Sequence, residues 1–278
     1  MDIVPDAVTG DDRLHSEEYL TQFNTDNYLC MYAFFEFVPL FDFIIEKLVR
    51  IFVENKSRLG HDRALEFGAG PSLLASFVLA QQVKSIRFSD YTPSNLAAVA
   101  DWIKEDPGAH DWSDLFNHIL QEYQRQANCG SQSVKRSDWE KQLREALKLG
   151  GLSTCDVNAV DCPVLGGEPN QYDIVLSSMC LEVACVTHHL FKATVKRLYA
   201  LLKADGLLIL IHGRNQTYHI LNDRRFFVLP VNEITVSEAL QEAGFVDIHI
   251  ESRDQEADAV ADGDGIMVIN AFKPKISA

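Results

Sequence analysis

Basic charge is the first thing this chain lacks. It has 25 Lys and Arg against 40 Asp and Glu, a net charge of −15 over 278 residues. Without a basic patch to offset that balance, nucleic acid is not an expected partner. Long apolar runs are missing as well. No stretch reaches the ~18 residues of a bilayer-spanning helix, and no basic segment followed by an apolar one opens the chain. Neither a membrane anchor nor a leader is therefore expected. Cys30, Cys129, Cys155, Cys162, Cys180 and Cys185 include no Cys-x-x-Cys pair. In a chain of this length they read as free thiols of a reducing, cytoplasmic compartment, and no metal centre is expected. Internal repeats and low-complexity tracts are also absent.

What is present centres on residues 63–75. Ala64, Leu65 and Phe67 form a short apolar run of β character, Gly68 and Gly70 follow in a turn, and apolar spacing turns helical from Leu73. A strand passing through a glycine turn into a helix directs backbone N–H groups at a nucleotide-like ligand, and glycine lets the chain approach it closely. A second strand over residues 84–90 ends in Asp90, about 20 residues past the glycines, where a carboxylate reaches a ribose diol. A dinucleotide fingerprint would carry a third glycine where this chain has Leu73, and Pro71 follows Gly70 directly. Glu66, just before the turn, would repel phosphate and suit a cation. S-adenosylmethionine carries a sulfonium and an ammonium and no phosphate, so the expected ligand is this methyl donor, with a nicotinamide cofactor as the alternative.

With 47% hydrophobic residues the chain can bury a full core. The expected organisation is one domain with a helical lid over residues 1–55, an α/β core over 56–278, a helical insertion at about 111–150, and a substrate cap at about 212–231. In the lid, Asn24 or Thr25 caps a helix that puts Tyr28 and Tyr32 on one face, ahead of Phe34, Phe35 and Phe37. Residues 40–55 have helical apolar spacing. Thr92 and Pro93 open another helix. The charged segments around Gly130 read as a solvated helical elaboration. Further strands are expected ending at 155–157, and at 172–178, 207–211, 246–251 and 266–272, with helices at 187–203 and 233–243. Alternating strands and helices followed by a terminal strand pair predict a mainly parallel sheet with an antiparallel edge. Gly68, Gly70, Asp90, Asp156, Glu182 and His212 then fall at the carboxyl ends of successive strands, where open α/β sheets bind ligands.

Several segments carry a more specific resemblance. They are Tyr19-Leu-Thr-Gln-Phe-Asn with Asp26-Asn-Tyr-Leu, Glu66-Phe-Gly-Ala-Gly-Pro-Ser72, and Asp90-Tyr-Thr-Pro-Ser-Asn-Leu96. Trp102 with Glu105-Asp-Pro-Gly-Ala-His-Asp-Trp112, Cys155-Asp-Val157 and Leu176-Ser-Ser-Met-Cys-Leu-Glu182 complete the set. From about residue 18 to 273 the chain resembles the small-molecule amine N-methyltransferases that act on nicotinamide, phenylethanolamines and indolethylamines. The resemblance implies a Rossmann-like, seven-stranded class I methyltransferase sheet using S-adenosylmethionine, acting as a monomer on a small amine or pyridine.

By position, the resemblance places Tyr28 at the methionine end of the cofactor, flanked by Gly68 and Ser72. Asp90 would hold the ribose with Asn95 nearby, and Asp156 and Val157 would hold the adenine. Glu66, Gly70, Tyr32, Tyr91 and Ser178 complete the candidate cofactor set. Glu182 matches the acid that phenylethanolamine N-methyltransferase uses near its amine, and is the first candidate to position the acceptor and take its proton, with His212 second. The departures are Ala33 in place of a cofactor-contacting tyrosine, His212 where an acid anchors the nicotinamide amide, and Asn215 in place of a second amine-binding acid. Asp258, Asp262 or Asp264 would be the substitute carboxylate. A protein that kept the donor site and lost its chemistry, or an NAD-dependent oxidoreductase, would be the alternatives.

Overall fold

A computed structural model describes residues 13–30, 39–127, 135–159, 162, 164–221, 223–255 and 261–275. Apolar runs bounded by turns give the strands β1 (Arg63–Phe67), β2 (Ser85–Asp90), β3 (Leu152–Thr154), β4 (Tyr172–Ser178) and β5 (Leu202–Arg214). After them come β6 (Tyr218–Leu221), β7 (Arg224–Phe227), β8 (Val246–Asp254) and β9 (Gly265–Phe272). Seven of these form one sheet in the order β3-β2-β1-β4-β5-β9-β8. The strands from β3 to β5 run parallel, and β9 and β8 pair antiparallel at the far edge. The strand order reverses between β1 and β4, the switch point where such sheets open a crevice above their carboxyl ends.

The sheet is covered on both faces, so its central strands β4, β5 and β9 carry mostly apolar, buried runs. Alternation along β5 separates the two sides: Leu207, Ile209 and Ile211 join one core cluster, and Leu208 and Leu210 the other. Packed with the first cluster are α3 (Pro39–Asn55), α4 (Leu74–Leu79), α5 (Pro93–Ile103), α6 (Ser113–Gln126) and α7 (Arg136–Gly150). The second cluster is covered by α9 (His188–Leu201) and α10 (Glu233–Ala243). The one-turn helices α1 (Tyr19–Gln22) and α8 (Leu181–Ala184), with α2 (Thr25–Cys30), stand at the crevice.

Three expectations change in detail. Within the expected 111–150 insertion, Ser113–Gln126 and Arg136–Gly150 are helical, but they are not a solvated elaboration. Trp139, Leu143, Ala146 and Leu147 of α7 and Leu115, Phe116 and Ile119 of α6 are buried, because spacings of three and four gather them on one face while the charges take the other. Strand β5 does not stop at Ile211; His212, Gly213 and Arg214 go on pairing with Met267, Ile266 and Gly265 of β9. The connection after it contains the antiparallel pair β6–β7, with Leu221 opposite Arg224.

Candidate active site

The cavity at the switch point has a volume of about 430 Å³, within the range of small-molecule sites. Its floor is the glycine turn. Gly68 and Gly70 have φ of +65° and +62°, in the left-handed region that favours glycine. A Cβ on Gly68 would collide with the Cys180 Sγ, whereas one on Gly70 would meet no atom within 4 Å. The Gly70 N–H donates to Asp90 Oδ2 at 2.7 Å; Asp90 Oδ1 accepts from the Thr92 N–H at 2.8 Å and the Asn95 amide at 2.9 Å. Burial pushes the Asp90 carboxyl above its ordinary value, and these three donors oppose the shift. Asn95 is itself fixed by the Thr25 hydroxyl at 2.8 Å, which ties α2 to α5. Asn24 caps α2 by accepting the Asn27 N–H at 2.9 Å.

Glu66 is 2% exposed on the cavity wall and accepts a hydrogen bond from the Ser76 hydroxyl. Burial pushes its carboxyl up to about 8, so in the apo site it is mostly protonated near neutral pH. Tyr28, Ser72, Tyr91, Asp156, Val157 and Ser178 also line the cavity. Among the expected donor-side residues, only Tyr32 lies outside the described residues, as do Ala33 and the aromatic cluster beside it.

Glu182 also lines the cavity, at 1% exposure. Its Oε1 accepts the Gly213 N–H at 3.2 Å, its Oε2 accepts from His212 Nδ1 at 2.6 Å, and its backbone carbonyl accepts the Leu229 N–H at 2.7 Å. The expectation that His212 lies at the cavity is corrected. It is fully buried, on the same side of β5 as Leu208 and Leu210, with Phe191 at 5.5 Å between ring centroids. Glu182 stands between it and the ligand space.

Asn215 is exposed in a left-handed turn and donates to Asp264 at 2.7 Å. Asp262 accepts from the Thr217 and Tyr218 N–H groups at 2.8 and 3.1 Å. Neither acid lines the cavity, because both are spent on holding the 261–265 segment against the start of β6. Asp258 lies outside the described residues.

The roof contains residues that sequence reasoning missed. Tyr19 and His219, 200 positions apart, meet with hydroxyl and Nε2 at 2.9 Å, and both line the cavity. The Tyr19 ring lies 4.5 Å from Phe226 and 5.5 Å from Phe23. Burial pushes His219 down to about 4, against the raising effect of Glu182, so its imidazole is neutral at physiological pH. Leu14 makes a single parallel bridge to the hairpin: its N–H donates to the Arg225 carbonyl at 2.8 Å, and its carbonyl accepts the Phe227 N–H at 2.7 Å. The N-terminal segment is thus fastened to β7, which carries α1 over the opening.

A Rossmann-like seven-stranded sheet, a two-glycine turn, an acid at the end of β2 and a buried acid without a phosphate-binding third glycine define a class I S-adenosylmethionine-dependent methyltransferase. Leu73, at the position of that missing glycine, is buried in the core. The donor set fits the cofactor: Asp90 offers carboxylate oxygens for a diol, and the Glu66 acid suits a cation. Similarity to known proteins makes the assignment narrower. Residues 11–274 match the profile of the NNMT/PNMT/TEMT family, and the chain belongs to that family. Nicotinamide N-methyltransferase of Sus scrofa is 29% identical over 255 residues, covering 90% of this chain and 92% of that one. Indolethylamine N-methyltransferase of Mus musculus is 26% identical over 82% of this chain and 84% of that one. Phenylethanolamine N-methyltransferase of Homo sapiens is 26% identical over 65% and 61% respectively.

Among solved structures, a SAM-dependent methyltransferase from Methanosarcina mazei superposes with a TM-score of 0.51 at 12% identity, covering 79% of this chain and 96% of that one. The 4+2 cyclase SpnF superposes with a TM-score of 0.50 at 14% identity, covering 83% and 82%. A cyclase on this fold means that the sheet alone does not fix the reaction. Family membership does: this chain is an S-adenosylmethionine-dependent N-methyltransferase. Neither a donor-binding protein without activity nor an NAD-dependent oxidoreductase finds support among these relatives. No helix among the described residues is long and apolar enough to cross a membrane.

Proposed function

We propose that the acceptor is a small amine or pyridine nitrogen carried on an apolar, mostly aromatic body, and that Glu182 receives the nitrogen. The observation that carries this reading is the Glu182 carboxylate, held by two donors in the cavity that the glycine turn also lines. Bound at that turn, S-adenosylmethionine supplies a methyl group on a sulfonium, already activated for displacement. The protein's task is proximity and alignment. Glu182 attracts a protonated amine and takes one proton from it, freeing the nitrogen lone pair to form the new C–N bond. The carbon–sulfur bond breaks as that bond forms, and its electron pair stays on sulfur. Tyr28, Gly68 and Ser72 flank the methionine end, Asp90 and Asn95 hold the ribose, and Asp156 and Val157 hold the adenine.

Residues 13–30 and the β6–β7 hairpin act together as the acceptor-side cap. Tyr19, Phe23 and Tyr28 present ring faces to a cationic centre, worth roughly 0.5–2 kcal/mol. A net charge of −15 fits a monomer working on free small molecules and not on nucleic acid. The unpaired, buried Cys155, Cys162 and Cys185 fit a reducing, cytoplasmic setting. The Glu182 role is tested by Glu182→Gln. Turnover should fall by about 100-fold while donor affinity by calorimetry stays essentially unchanged. Equal losses in both would remove the assignment.

A further inference from the structure

His212 is a histidine with one use. Nδ1 donates to the Glu182 carboxylate at 2.6 Å, the ring is fully buried, and Nε2 has no hydrogen-bond partner among the described residues. The tilted ring of Phe191 lies 5.5 Å away between centroids. Protonating Nε2 would bury a charged donor with nothing to accept from it, which costs more than leaving an aromatic lone pair unmet. The least costly form is therefore neutral, with its proton on Nδ1. The other Glu182 oxygen accepts the Gly213 N–H, supplied by the next residue of the same strand. Register with β9 fixes both: His212 is opposite Met267 and Gly213 opposite Ile266. Two donors on consecutive residues of a paired strand thus clamp one carboxylate from behind, each on a different oxygen.

We propose that His212 is a positioning residue for the methyl acceptor, a neutral Nδ1–H imidazole that keeps Glu182 ionised and turned toward the cavity so that the pair presents one uncompensated negative charge to the incoming amine. This rests on the reading of Glu182 given above and adds to it the cause of its charge. A carboxyl this buried tends to take up a proton, and hydrogen bonds donated to its ionised form oppose that. The other titratable groups facing Glu182 are Tyr19 from α1, His219 from β6, and Cys180 and Cys185 at the two ends of α8. Burial holds all four neutral near physiological pH, the phenol and thiols by raising them and the imidazole by lowering it. None of them supplies the clamp with a compensating cation.

The test combines spectroscopy on the unmodified protein with two variants. With 15N-labelled histidine, the His212 signal, identified by its loss in His212→Asn, should report protonated Nδ1 and bare Nε2 under assay conditions. A protonated Nε2 would overturn the proposal. His212→Leu should lower kcat/KM for the acceptor by about 10- to 100-fold and move the acidic limb of its pH profile upward, with donor affinity by calorimetry unchanged. His212→Asn, whose amide can donate in place of Nδ1, should recover most of the rate and return the limb. An unmoved limb, or equal losses in both variants, would overturn it. If His212→Leu fails to bind donor, the labelled spectrum and His212→Asn still decide. Failure of the underlying reading looks different: Glu182→Gln would then leave acceptor kinetics unchanged, whereas an error confined to His212 would leave the Glu182→Gln loss intact.

Discussion

Replacing Glu66 with glutamine should stabilise the empty enzyme, and by more as the pH rises. The carboxyl is 2% exposed, bonded to the Ser76 hydroxyl, and pushed from an ordinary 4.5 up to about 8 by burial. Below pH 4.5 it is protonated in both the folded and unfolded chain and has no effect on their balance. Between 4.5 and about 8 the unfolded chain releases the proton while the folded chain keeps it, so stability falls with rising pH. At 1.36 kcal/mol per pH unit the complete loss is about 5 kcal/mol. That is comparable with the whole margin of a typical domain, and roughly 10 °C in melting temperature at this size. Glu66→Gln keeps an oxygen for Ser76 and abolishes the slope.

Urea denaturation of both proteins at about pH 5, 7 and 9 without donor should give a gap that opens with pH. The same carboxyl makes donor binding proton-linked: at about pH 7 the wild type should release close to one proton as the cationic donor takes up the ionised form. Calorimetry in buffers of different ionisation enthalpy would measure that proton, and Glu66→Gln should release none. A stability gap that does not change with pH, together with no proton release, would refute the reasoning.

Other substitutions probe the floor and the roof separately. Gly68→Ala drives a Cβ into the Cys180 Sγ in a left-handed backbone, and should cost about 2 kcal/mol or more in stability by denaturation, with weakened donor binding. Gly70→Ala meets no protein atom within 4 Å, so its stability loss should be only about 1 kcal/mol of backbone strain. Tyr19→Phe keeps the ring on Phe226 and loses only the hydroxyl bond to His219. Steady-state kinetics should show a several-fold higher acceptor KM with donor affinity unchanged.

The donor half was legible in the chain because its physics is local. Glu66, Gly68, Gly70 and Ser72 lie within one turn, Asp90 follows at a fixed strand-to-strand distance, and Thr25, Asn95 and the start of α5 are anchored to the same acid through short contacts. The acceptor half depends on contacts that no local pattern encodes. Tyr19 meets His219 across 200 residues, and Leu14 pairs beside Phe226. The hairpin left only a weak signal, Asn222-Asp223 between two runs with aromatic and aliphatic residues, without the glycine of the favoured two-residue turns.

His212 was placed at the ligand because it follows the apolar stretch of β5. The period of two puts it with Leu208 and Leu210 instead, on the α9 side, and only the strand's continuation through Arg214 settles that. The solvated reading of α7 fails for the opposite reason. Its many charges outweighed, in a count of composition, the single apolar face formed by Trp139, Leu143 and Leu147.

The most direct test of the central claim is transfer of a labelled methyl group from S-adenosylmethionine to a mixed panel of nicotinamide and other pyridines, phenylethanolamines, indolethylamines, histamine-like amines and thioethers. It would be run side by side with wild type and Glu182→Gln. The account predicts label on the nitrogen of one amine or pyridine class, with that signal strongly reduced in the variant. Label appearing only on thioether sulfur, or equal transfer by the two proteins, would contradict it.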